Sequence, residues 1–265
     1  GYLKLGYASF AQFMTEFSYT NSLTNRTNFR FSASNTSQGD GYVKCLTLGC
    51  EDVNKSDRSS VRLKLSTSFN ENLTSDIILA KTNLEGPNNI FQFVTDNRIP
   101  FAFLVDTPQI AGVPISLNPN EVYLTPDSES IHGNDSKREY EVAAITINYE
   151  SRLGLIKSIT SYQEYFNEFS MDRDATTVNL YDTFDTSTTE TITQEFNWSI
   201  DLDGSSWILG TFLMDDDTSR RTLFDLPLPV FGFPVPGKLE WDHQSIDTKS
   251  KAFFIDGTFD LDEKT

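Results

Sequence analysis

Thr191-Ile192-Thr193-Gln194-Glu195-Phe196-Asn197-Trp198-Ser199-Ile200 reads as a β-strand with two unlike faces. Successive side chains of a strand point to opposite sides, so period-two alternation marks a strand that is apolar on one side only. Ile192, Phe196, Trp198 and Ile200 share one side, with Gln194 its single polar interruption. Thr191, Thr193, Glu195, Asn197 and Ser199 share the other. The run exceeds the ~5–6 residues usual for a globular strand and reaches the ~9–11 that a tilted strand needs to cross a bilayer.

The same pattern recurs on either side of it. Residues 250–261 set Phe253, Ile255, Phe259 and Leu261 against Ser250, Asp256 and Asp260. Residues 140–149 align Ala143, Ile145, Ile147 and Tyr149, and residues 60–66 set Val61, Leu63 and Leu65 against Arg62 and Lys64. Residues 11–19 set Phe13, Phe17 and Tyr19 against Gln12, Glu16 and Ser18. Weaker runs at 2–7, 28–33, 73–81, 154–166 and 207–214 bring the total to about ten strands, all antiparallel if consecutive runs pair.

The connections between these runs alternate in length. Those at 23–26, 70–72, 150–153 and 201–205 are short, and Asp203-Gly204 supplies cheap turn geometry in the last. Those at 36–58, 83–138, 173–187 and 221–246 are long. A soluble sandwich has no reason to keep its long excursions on one end of the strands. An up-and-down outer-membrane barrel does, with short periplasmic turns and long outer loops. The short gap at 8–10 breaks the alternation unless residues 2–19 form one strand or the gap is a tight outer turn.

Composition narrows the function classes. The net charge of −17 argues against nucleic acid, whose phosphates need clustered Lys and Arg. Hydrophobic residues make up only 38%, yet 21 Phe and 10 Tyr are present, which suits strands apolar on one face. Cys45 and Cys50, close together in one long loop with no His nearby, read as a disulfide in an oxidising compartment rather than a zinc site. His132 and His243 fall in predicted loops without a nucleophile pattern, so no catalytic residue is assigned and no enzyme is expected. Asp172-Arg173-Asp174 and Asp215-Asp216-Asp217 read as solvated strand ends, and no metal or cofactor site is assigned. In the long loops, the candidates for contact with a ligand arriving from outside are Phe224, Phe231 and Phe233.

The order of features resembles a known family. Gly1-Tyr2-Leu3-Lys4-Leu5-Gly6-Tyr7, then Phe29-Arg30-Phe31-Ser32-Ala33 and Gly39-Asp40-Gly41-Tyr42, resemble the first barrel strands of TonB-dependent outer-membrane receptors. Leu155-Ile156-Lys157-Ser158-Ile159-Thr160-Ser161-Tyr162, Met171-Asp172-Arg173-Asp174, Thr193-Gln194-Glu195-Phe196 and Trp207-Ile208-Leu209-Gly210-Thr211-Phe212 look like successive later strands. The resemblance implies an incomplete, open part of a barrel of roughly twenty-two strands. Both ends of the chain read as cut, with the plug and C-terminal strands missing. It further implies energy-coupled uptake of a ferric siderophore or similar scarce nutrient across the Gram-negative outer membrane. The implied partners are outer-membrane lipid and lipopolysaccharide, a small-molecule ligand, and the TonB energy-coupling complex acting through the missing plug.

Two other readings compete. A self-contained outer-membrane protease or adhesin would also close a barrel. A secreted carbohydrate-binding β-sandwich would instead stack two sheets over Phe196, Trp198 and Phe253.

Overall fold

The computed structural model describes residues 1–42, 54–87, 135–172, 182–226 and 237–260. They form ten strands: β1 (Tyr2–Ala8), β2 (Gln12–Thr24), β3 (Thr27–Gln38), β4 (Asp57–Ser68), β5 (Leu73–Pro87), β6 (Asp135–Ser151), β7 (Gly154–Asp172), β8 (Asp182–Leu202), β9 (Ser205–Leu226) and β10 (Gly237–Phe259). Each pairs antiparallel with its neighbours in sequence, in the order β1 to β10, within one sheet. The sheet is not closed, since β1 and β10 are its two edges. No second layer packs on it among the described residues, and Phe196 and Phe253 remain 48% and 70% exposed. The stacked-sheet reading therefore fails.

The four short turns fall at one end of the sheet, as the alternation of lengths requires. Gly204 turns β8 into β9 with φ +74°, a backbone region that an L side chain avoids. The gap after β1 is the tight turn at the opposite end: Phe10 and Ala11 both take positive φ. Their carbonyls accept bonds from the backbone amides of Asp40 (3.1 Å) and Gly39 (3.3 Å), and Phe10 meets Tyr42 edge-on at 4.6 Å.

The strands run further toward the long-loop end than alternation alone indicates. β3 continues to Gln38 and β4 starts at Asp57; β5 continues to Pro87 and β6 starts at Asp135. β8 starts at Asp182, β9 continues to Leu226, and β10 begins at Gly237. His243, Phe224 and Asp215-Asp216-Asp217 are accordingly strand residues, not loop or strand-end residues. These stretches lack period-two alternation, Asp185 to Thr189 being polar on both faces and Leu223-Phe224 apolar on both, while backbone pairing persists.

Candidate functional site

The pairing register joins the separate apolar stripes into one continuous surface. On one face of the sheet stand Leu3, Leu5 and Tyr7 of β1, Phe13, Phe17 and Tyr19 of β2, Phe29 and Phe31 of β3, and Val61, Leu63 and Leu65 of β4. The same face continues through Ile77 and Leu79, Ile145 and Ile147, Ile156 and Tyr162, Ile192 and Phe196, Leu209 and Leu213, to Phe253 and Ile255. Among the described residues, each sequence-derived stripe lands on the same side.

The band slopes across the sheet. One row of directly paired residues runs Leu3, Phe17, Ala33, Val61, Lys81, Glu141, Glu164, Glu190, Asp217, Asp247. It is apolar over β1–β4 and, after Lys81, acidic over β6–β10. Tyr7 and Phe13, the uppermost apolar residues of β1 and β2, stand two rows outward of this line, whereas Phe253 stands three rows below it. Five rows over nine strand spacings, at ~3.3 Å per residue and ~4.8 Å between strands, give a slope of roughly 35–40°. That matches the ~35–45° strand tilt of membrane barrels. A soluble sheet has no reason to grade its hydrophobicity along this diagonal.

Aromatic residues mark the short-turn border of the band. Tyr19 lies 5.8 Å from Phe29, and Trp207 meets Phe259 edge-on at 5.1 Å. Their polar tips are occupied: the Trp198 indole donates to the Leu153 carbonyl (3.1 Å), Trp207 to Ser205 Oγ (3.2 Å), and Asn21 donates to Tyr19 Oη (2.8 Å). Rings with one apolar flank and one satisfied polar tip suit a membrane–water border.

The opposite face is polar and tied together by cross-strand hydroxyls and ion pairs. Ser18 meets Ser32 at 3.1 Å, Ser161 meets Thr193 at 2.8 Å, Thr189 meets Thr218 at 3.0 Å, and Thr191 donates to Asp216 at 2.6 Å. Lys4 pairs with Glu16 at 3.0 Å and Lys64 with Asp76 at 3.3 Å. Charge on this face is uneven. Arg30, Arg58, Arg62 and Lys64 gather on β3–β4, with Arg30 directly opposite Lys64, while Asp185, Glu195, Asp201 and Asp216 gather on β8–β9.

Near the outer end of this polar face, Asp185 is 4% exposed. It accepts from Arg220 Nη2 at 3.0 Å and from the Thr222 hydroxyl, its direct cross-strand partner. A buried carboxylate persists only when its charge and lone pairs are matched, and here both donors come from β9. Alternation could not reveal this anchor, because it depends on the cross-strand register that sets Asp185 opposite Thr222.

Above the band, Lys137 Nζ lies 2.8 Å from Glu139, and Lys81 bridges Glu141 at 2.7 Å and Glu139 at 3.5 Å. The hydrogen bond from Lys137 holds the Glu139 carboxyl below its ordinary value, and the same bond raises Lys137.

Only some of the sequence-derived candidates lie among the described residues. Phe224 sits on the polar face of β9 opposite Thr183 and Leu239. His243 is on β10 opposite Arg221. Asp172 ends β7. Phe231, Phe233, Cys45, Cys50, His132, Arg173 and Asp174 lie outside the described residues.

No protein-family model matches the chain, and no curated protein matches it in sequence. Solved structures do match in shape. FpvA of P. aeruginosa, in its complex with a heterologous pyoverdine, aligns over 98% of this chain with TM-score 0.60 and 10% identity. The ferric citrate transporter FecA aligns over 96% with TM-score 0.57 and 8% identity, and the RagAB peptide transporter over 95% with TM-score 0.50 and 12% identity. The chain spans about a third of each of them: 35%, 33% and 30%. The ten-stranded sheet thus has the fold of a stretch of β-barrel wall from TonB-dependent outer-membrane receptors.

Proposed function

We propose that this sheet is part of an outer-membrane receptor of the TonB-dependent type, taking up a ferric siderophore or similar scarce nutrient with energy from the inner membrane. The observation that carries the reading is the tilted apolar band backed by a polar face. Only a closed sheet can sit in hydrocarbon without exposing unpaired backbone, so the two edges must be joined by further strands. Along the apolar band the strands build wall, and no chemistry is assigned to them there beyond lining and anchoring. Ligand contact is assigned to the outer ends of the strands and the long loops, with Phe224, Phe231 and Phe233 as candidates. The coupling complex would act through a plug inside the lumen. In the same reading Cys45 and Cys50 form a disulfide at the cell exterior, and lipopolysaccharide surrounds the outer half of the wall.

The test is a deletion strain of the source bacterium grown under iron limitation on single ferric complexes. Loss of growth on one complex, restored by the full-length gene but not when the energy-coupling protein is also deleted, supports the reading. Unimpaired growth on every iron and nutrient source tried, with no binding by the purified receptor, overturns it.

A further inference from the structure

A groove of about 290 Å³ opens on the apolar face above Thr211. Phe196, Thr211 and Phe253 stand side by side in one cross-strand row, so the small threonine forms a floor between two rings. Ile156, Trp198 and Leu209 extend the groove toward the short-turn end, deeper into the band. It is lined almost wholly by carbon and faces away from the lumen.

One same-face step outward from Phe253 stands Lys251, and the next is Lys249. Lys249 Nζ lies 3.2 Å from Asp215, while Lys251 forms no ion pair or hydrogen bond among the described residues. Two adjacent lysines at the outer border of the band run against a chain of net charge −17. Two same-face steps above Lys251 comes Asp247, paired with Asp217, and this acidic line repels an anion placed further out. Asp215 already matches Lys249 in its own row, so the level left open to negative charge is that of Lys251, with an apolar slot directly beneath.

We propose that this is a binding site for an acylated, phosphate-bearing lipid of the outer leaflet. One acyl chain lies in the groove over Thr211, and a headgroup phosphate sits at Lys251 with Lys249 beside it. A lysine ammonium serves as a point-charge partner for phosphate, and the surrounding hydrocarbon strengthens the contact. The proposal rests on the wall reading of the sheet, but on no cargo.

The experiment uses the full-length protein in detergent and native mass spectrometry. The probes are lipid A with its phosphates, the same lipid A enzymatically dephosphorylated, and inorganic phosphate. The double variant Lys249→Gln/Lys251→Gln is expected to retain roughly tenfold less phosphorylated lipid A, the loss of a charge-assisted contact, and unchanged amounts of the dephosphorylated form. Thr211→Trp, which fills the slot, is expected to lower retention of both lipids, and inorganic phosphate is expected not to compete. Unchanged retention of phosphorylated lipid A in the lysine variant overturns the proposal. So does an ineffective Thr211→Trp, or competition by inorganic phosphate equal to that by lipid. Unaltered heat-modifiable migration in gels certifies that each variant is folded. Growth on the cognate nutrient, read separately, keeps a failure of this site distinct from a failure of the transport reading.

Discussion

Phe254 packs directly against Gly210, its cross-strand partner on the polar face: a Cβ at position 210 would collide with the Phe254 ring. The glycine makes room for the ring, and the ring covers backbone that glycine leaves bare, a known way to stabilise a glycine within a sheet. Gly210→Ala is expected to cost about 1–3 kcal/mol by displacing the ring, and Phe254→Ala a comparable amount. Because both changes break the same contact, the double variant should cost clearly less than their sum. Urea titration of the protein refolded into lipid vesicles measures all three; strict additivity would show that the contact does not exist.

The buried Asp185 ties the outer ends of β8 and β9 together. Asp185→Ala leaves the Thr222 hydroxyl without its acceptor and removes the partner of Arg220, a change of about 1–3 kcal/mol. The contact lies above the apolar band, so the effect is expected to be local. Hydrogen exchange at Thr183–Ser187 and Thr218–Phe224 should speed up, while exchange at Thr193–Asn197 stays as it was. Uniform acceleration across β8 would contradict this placement.

Carboxylates stand directly opposite one another from β6 to β10, in the line Glu141, Glu164, Glu190, Asp217, Asp247. Like charges in this position repel, and each such pair costs a few tenths to about 1 kcal/mol. Glu164, Glu190 and Asp217 each have an acidic neighbour on both sides, and Glu190 stands at the middle of the line. Glu190→Gln is expected to raise stability modestly at low ionic strength, with the gain fading in about 1 M salt, where the Debye length falls to ~3 Å. A gain that persists in high salt would mean that repulsion is not the cause.

The Lys137–Glu139–Lys81 group gives a pH signature. Glu139 is lowered from its ordinary 4.5, so its contribution is present above that value and is lost as pH falls through the folded-state value. Lys137 is raised from 10.5, so its contribution is complete below 10.5 and is lost as pH rises through the higher folded-state value. Glu139→Gln should therefore flatten the acid limb of the stability profile and lower its neutral plateau by the same small amount, small because solvent screens these half-exposed groups. Equal acid sensitivity in both proteins would refute the assignment.

How much of this was legible in the sequence follows from where hydrophobicity can report. Within the apolar band, Phe13, Phe17, Val61, Ile145, Ile192 and Phe253 share a face, and alternation alone placed each stripe correctly. Parity of loop length gave the order and direction of the strands, and the early gap at 8–10 resolved as an outer turn held by Phe10 and Ala11. Above the band, where Asp185 to Thr189 and Asp215 to Asp217 are polar on both faces, the periodic signal disappears and strands read as loops. His243 was misplaced for that reason, and Phe224 because Leu223 and Phe224 are apolar on opposite faces and show no alternation. The Asp185 anchor, the Gly210–Phe254 pair and the slope of the band depend on cross-strand register, which no single stripe contains.

The most direct test of the wall reading compares Val61 with Asp247, which occupy the same cross-strand row. Nitroxide labels placed singly at 61, 247 and 253 in the full-length protein, reconstituted in lipid, report access to oxygen against a water-soluble nickel chelate. If the sheet is tilted in the bilayer, 61 and 253 are oxygen-rich and shielded from the chelate, whereas 247, in the same row as 61, is open to it. Equal chelate access at 61 and 247 would contradict the account.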